Sequence, residues 1–214
     1  EIEGFPLDEK SLNEIGNVFR NKQKELEEQI FAIAPHRINL SSPKQIGELL
    51  VELNVFDKDK KISTSVEVLK KVSHKHPIVD LILEYRKYAK LTSTYIDGLL
   101  VHIHSDGKLH PRFNQALTTT GRLSSSNPNL QNISVRDEEG KLIRKAFFYP
   151  NDDYYILSFD YSQVELRVLA ALSNCQKLLD AFNNDEDIHT HVAGEVFGVP
   201  EEAVTKQMRR CAKA

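Results

Sequence analysis

The sequence predicts an α+β fold, and three observations carry that expectation. Apolar residues recur at helical spacing through the N-terminal half. Beyond Gly98 the pattern turns to alternation and then to a long polar loop. After the loop, a short apolar alternation runs directly into a series of amphipathic segments. Helices first, then strands with helices packed on them, is the α+β order.

The elements follow in chain order. Leu12, Ile15, Phe19, Leu26, Ile30 and Ile33 lie on one face of a long helix. Ser42-Pro43-Lys44-Gln45 reads as a helix start, with Ser42 as N-cap, Pro43 at the first position and Gln45 reaching back. Thr64 and Glu67 offer a second capping box before "VEVLKKV". Pro77 opens the most periodic segment, whose stripe runs from Ile78 through Ile82, Tyr85, Thr92 and Ile96 to Leu99, with Arg86, Lys87 and Lys90 on the other face. "LHPRFNQ" alternates like a strand. "TTTGRLSSSNPNLQNIS" is too polar to bury, yet Asn129, Gln131 and Asn132 alternate with apolar residues and Arg122 sits between Gly121 and Leu123, so it reads as a structured loop lined with donors. "YYILSF" supplies a strand ending at Asp160. Helices follow in "SQVELRVLAALS", "QKLLDAF", "DIHTHVAGEVFG" and "VTKQMRRCAKA".

Composition narrows the class. The 214 residues are 40% hydrophobic and 28% charged, as in a globular chain of one large domain or two small ones. No apolar run approaches the roughly 20 residues that span a bilayer, so no membrane association is expected. Cys175 and Cys211 form no CxxC unit and suggest no disulfide framework, which fits a reducing cytoplasm. Net charge is −3, so bulk charge does not make a nucleic-acid binder. Residues 36–90, with 11 bases against 7 acids, form a mildly basic segment compatible with a phosphate surface and equally with a solvated helical face.

Several residues invite chemistry. Asp160 beside the turn "YSQ" can hold a hard cation such as Mg²⁺ through carboxylate and carbonyl oxygens. Its alternative is an N-cap for the next helix. His189 and His191, two apart, share no helical face and make a poor chelate, while His189 alone can donate to a phosphate. Arg209 and Lys213, four apart, form a cationic stripe able to grip a polyphosphate, or else complement a helix C-terminus. No Walker, GxGxxG or GxSxG pattern occurs, which disfavours P-loop, Rossmann and nucleophilic-hydrolase sites.

"TTTGRLSSSNPNLQNI", "LSFDYSQVELRVLAALS", "DIHTHVAGEVFG" and "MRRCAKA", in this order, resemble the bacterial DNA polymerase I family, family A. The likeness extends upstream through "NLSSPKQIGELL" and "YRKYAKLTSTYIDGLL", and Ser134 stands where the family usually has Pro. The resemblance implies part of a right-hand polymerase fold: a helical thumb over residues 1–100, an antiparallel-sheet palm portion with packed helices over 101–174, and the start of the fingers over 175–214. It implies a DNA-directed DNA polymerase of bacterial cytoplasm, active in replication and repair on primer-template DNA and deoxynucleoside triphosphates. It further implies a monomer using two Mg²⁺ ions. Asp160 and the Tyr161 carbonyl become metal ligands, and Asp160, Glu165 and Lys213 the catalytic set, with Glu165 as the steric gate against the incoming sugar. Gln163, Glu165, His189, Arg209 and Lys213 become nucleotide-binding. Arg86, Lys90, Arg122, Asn129, Asn132 and Arg144 become DNA-binding.

The family's fingers continue beyond the lysine, and a later "HDE" motif supplies a second carboxylate. The chain is therefore expected to be a fragment, inactive by itself. A non-catalytic nucleic-acid-binding module and a plain helical scaffold are the alternatives from other classes.

Overall fold

The computed structural model describes residues 1–57, 62–134, 137–149, 151 and 153–212. They divide into two compact units, Glu1–Tyr154 and Tyr155–Ala214, and each is described by itself. The helix-first order with short antiparallel sheets is the α+β class expected from the sequence.

In the first unit, strand β1 (Phe5–Pro6) leads into α1 (Glu9–Ile33), whose N-cap Asp8 accepts from the Ser11 amide. Helix α2 (Pro43–Glu52) starts as its sequence signature predicts, with the Ser42 side chain accepting from the Gln45 amide. Gln45 does not reach back to Ser42, however; its Oε1 accepts from the Asn39 amide at 2.7 Å and closes the preceding loop. Helix α3 (Val66–Val72) is capped by Ser65 rather than Thr64, one residue later than the expected box. Thr64 is otherwise engaged, since its carbonyl and hydroxyl both accept from Arg86.

Helix α4 (Ile78–Leu91) passes through a π-helical stretch, Thr92–Asp97, into α5 (Gly98–Leu100), one apolar stripe throughout. The stripe serves two cores. Leu26, Ile30, Ile46, Leu50, Leu69 and Ile82 pack at one end. Leu12, Phe19, Ile96, Leu99, Leu109 and Ile143 pack at the other. Strand β2 (Lys108–Leu109) pairs antiparallel with β1, Phe5 opposite Leu109. Strand β3 (Arg112–Asn114) pairs antiparallel with β4 (Ser124–Ser126), Arg112 opposite Ser126. The serines of the expected loop thus begin as a strand. Helix α6 (Glu138–Lys145) was not expected, although Asp137 capping the Gly140 amide, two acids in the first turn and two bases in the last are the ordinary signals.

The second unit corrects one expectation. "YYILSF" is not a strand: residues 154–160 join no ladder, and Tyr155, Leu157 and Phe159 are 84%, 78% and 89% exposed. A strand needs a neighbour to satisfy its backbone groups, and among the described residues no strand pairs with this run. Four α-helices follow among the described residues, near the expected bounds: α7 (Val164–Ser173), α8 (Gln176–Asn183), α9 (Ile188–Phe197) and α10 (Lys206–Cys211). Ala170, Phe182 and Ile188 form their small core. A Cβ on Gly194 would lie 2.9 Å from the Val199 carbonyl, so glycine lets the loop before α10 fold back against α9.

Candidate active site

The "DYSQ" turn lies between the unpaired run and α7. Asp160 and Tyr161 are exposed, and Asp160 follows an unpaired segment rather than ending a strand. Nor is Asp160 the helix cap. That position is Gln163, in left-handed backbone geometry at φ 51° and making no side-chain cap bond. The Gln163 side-chain oxygen is buried without a hydrogen-bond partner, an uncommon and costly state for an amide. Glu165 is exposed in the first turn of α7, where the helix dipole favours a carboxylate.

Arg167, which sequence reasoning gave no role, holds this turn. Its Nε donates to the Ser162 carbonyl at 3.0 Å, and its guanidinium carbon lies 4.5 Å from the Phe182 ring centroid. The turn is thereby tied to α8. The cation–π geometry suits a flat guanidinium better than an ammonium.

Asp187 was also missed, and it organises the other half of the site. As N-cap of α9 its carboxylate accepts from the His189 amide at 3.2 Å and from Thr190 Oγ1 at 2.8 Å. The same carboxylate takes Arg209 through Nε at 2.5 Å and Nη2 at 3.1 Å, joining α10 to the start of α9. These bonds, that from Arg209 foremost, hold the Asp187 carboxyl down at about 2, and Asp187 in turn raises the Arg209 pKa. His191 lies between carboxylates, 2.7 Å from Glu201 and 3.5 Å from Glu195, and Glu201 raises its pKa. Arg209 and His189 are thus held from one carboxylate, while Lys213 lies outside the described residues.

The Asp160 carboxylate and Tyr161 carbonyl are oxygen donors of the kind Mg²⁺ takes. Among the described residues no group of three His, Cys, Asp or Glu side chains is placed to hold a metal ion. The two donors therefore fit as part of a coordination shell, not as a closed site.

The first unit carries the remaining expected residues. Arg86 is partly buried, which lowers its pKa, and it donates to the Thr64 carbonyl. Arg144 donates from Nη2 to the Ile133 carbonyl at 3.0 Å and from Nε to the Ser134 carbonyl at 3.3 Å. Lys90 and Arg122 are exposed. Neighbouring Lys87 is neutralised 2.8 Å from Glu139. The polar loop is built around Ser125, whose buried hydroxyl donates to the Pro128 carbonyl and accepts from the Leu130 amide. Asn129 accepts from the Gln131 amide, and the Tyr95 hydroxyl donates to the Asn132 carbonyl at 2.6 Å. Both asparagine side chains belong to exposed residues.

The family model described as DNA polymerase family A matches residues 9–214. DNA polymerase I of Bacillus subtilis (strain 168) is 52% identical, covering 100% of this chain and 25% of its own length. The thermostable DNA polymerase I of Thermus aquaticus is 45% identical, with 100% and 26% covered. Among solved structures, the POL domain of Pol1 from M. smegmatis, in complex with DNA primer-template and dNTP, is similar at a TM-score of 0.88 and 37% identity, over 99% of this chain and 38% of that one. The chain spans about a quarter of the length of the curated relatives it matches.

Proposed function

The chain belongs to DNA polymerase family A, and from that premise we propose that the protein is a DNA-directed DNA polymerase that extends a primer with deoxynucleotides. The observation that carries this reading is the Asp187 hub, which fastens Arg209 and the start of α9 together beside His189. Two cationic or donor side chains on adjacent helix ends suit a triphosphate, whose charge grows on the leaving pyrophosphate during transfer. Asp160 and the Tyr161 carbonyl would hold part of an Mg²⁺ shell, and two such ions would supply charge stabilisation for the attacking and leaving oxygens. Glu165 lies five residues beyond Asp160 and excludes a ribose 2′-hydroxyl by bulk and charge. Gln163, at the start of α7, belongs to the nucleotide pocket. Lys213 completes the phosphate grip.

Arg86, Lys90, Arg122 and Arg144, with Asn129 and Asn132, hold primer-template DNA. Among the described residues, Arg86 and Arg144 are oriented by backbone carbonyls rather than by carboxylates. A neutral acceptor fixes the guanidinium without cancelling its charge, so the field toward phosphate persists. Contacts of this kind position a duplex without reading its sequence, as general copying demands. Residues 1–100 act as thumb, 101–174 as palm portion and 175–214 as the beginning of the fingers.

Asp160→Ala in the full-length protein tests the reading. Single-turnover extension is expected to be abolished while primer-template affinity is retained. Near-normal extension would reject Asp160 as a metal ligand.

A further inference from the structure

We propose that Asp187 is a positioning residue for the triphosphate, setting the guanidinium of Arg209 and the first turn of α9 in one fixed relation. The inference rests on the reading of Arg209 and His189 as phosphate-holding residues. A carboxylate offers about four lone-pair directions, and Asp187 uses all of them. The His189 amide and Arg209 Nη2 go to Oδ1; Thr190 Oγ1 and Arg209 Nε go to Oδ2. Two of these donors belong to α9 and two to a side chain 22 residues further on.

The pairing is geometric as well as ionic. Asp187 engages one edge of the guanidinium, Nε and Nη2, and among the described residues leaves Nη1 and the outer Nη2 hydrogen to face a ligand. An unclamped arginine would have to give up rotamer freedom at each binding event, whereas this one is already ordered. The carboxylate also sits at the N-terminus of a ten-residue helix, where the dipole supports its ionised form. Asp187 and Arg209 side chains are about one-third exposed, so a triphosphate in solvent can reach the pair. Asp187 touches no substrate in this account. It acts through Arg209 and through the placement of His189.

The experiment uses full-length protein and steady-state extension with one deoxynucleoside triphosphate varied. Asp187→Asn keeps a capping side chain and removes the charge that holds Arg209. Asp187→Ser, also a good cap, repeats the test should Asn fold poorly. Thr190→Val removes only a bond on the α9 side and serves as the control for a merely structural effect. In both Asp187 variants KM for the nucleotide is expected to rise roughly tenfold, about 1.4 kcal/mol of binding, with kcat and primer-template Kd changing far less. Thr190→Val should lower Tm and leave KM alone. In an Arg209→Ala background the Asp187 substitutions should add no further rise in KM, because both keep the cap that places His189 and the other group they position is gone. An unchanged KM in both Asp187 variants, with Arg209→Ala raising it, would overturn the proposal. So would equal rises with and without Arg209. An unchanged KM in Arg209→Ala would instead overturn the assignment of Arg209 to the nucleotide.

Discussion

The two units solve the problem of holding shape in different ways. Glu1–Tyr154 keeps Leu12, Phe19, Ile30, Ile46, Leu50, Ile82 and Ile96 at 1% exposure or less, in two cores threaded by α1 and α4. Tyr155–Ala214 buries little beyond Ala170, Phe182, Ile188 and Ala193, and leaves Tyr155, Leu157, Phe159 and Leu172 in solvent. Its ordered features are polar: Arg167 on Ser162, Asp187 on Arg209, His191 on Glu201. The unit proposed to hold DNA is therefore a packed scaffold. The unit proposed to handle the nucleotide is a set of short helices whose side chains are placed by directed hydrogen bonds.

The largest expected effect is in amide hydrogen exchange. Amides within α1 and α4 open only with the core and should be protected by several orders of magnitude. Those of residues 155–160 have no ladder partner among the described residues and should exchange close to the unprotected rate. Strong protection there would show strand pairing and erase the contrast. Next in size is core truncation. Phe19→Ala removes a ring that is 1% exposed and packed edge-on to Tyr88, and should cost about 3–5 kcal/mol by denaturant unfolding. Phe182→Ala, in a smaller cluster, should cost less, and the reverse order would contradict the assignment of apolar packing to the first unit.

The smallest effect is acid titration of the Asp187 clamp. Its folded carboxyl titrates at about 2, below the ordinary 3.8. A depressed pKa stabilises the folded state above the unfolded value, and that stability is lost as pH falls from near 3.8 through about 2. The wild-type advantage in Tm over Asp187→Asn should be complete at neutral pH and shrink across that window. A gap that stays constant down to pH 2 would mean the carboxylate charge contributes nothing.

Helices α1, α2, α4 and α7 to α10 were legible because a helical stripe is a local property of Leu12, Ile46, Ile82 or Phe182 and its neighbours. The cap at Ser42 was legible for the same reason, while the shift from Thr64 to Ser65 depended on Arg86, 22 residues away. "YYILSF" carried the right alternation, but pairing requires a neighbour that alternation does not name. The "DYSQ" and "DIHT" motifs marked the candidate site through resemblance. What they could not supply was partnership: Arg167 on Ser162 and Phe182, Asp187 on Arg209, Arg144 on the 133–134 carbonyls. Asp187 carried a signal, an Asp at the start of an apolar helical pattern, yet as a cap it gave no hint of the arginine.

The division of labour is tested most directly by one crossed pair of substitutions in the full-length protein. Lys90→Ala lies on the exposed face of α4 and Arg209→Ala in the clamp of the second unit. Primer-template Kd and nucleotide KM are measured for both. Lys90→Ala should weaken DNA binding, flatten its dependence on salt by about one phosphate contact, and leave KM unchanged. Arg209→Ala should raise KM and leave DNA affinity and its salt dependence unchanged. If Lys90→Ala raised KM, or Arg209→Ala weakened DNA binding as much as it weakened nucleotide use, the two units would not divide the work as described.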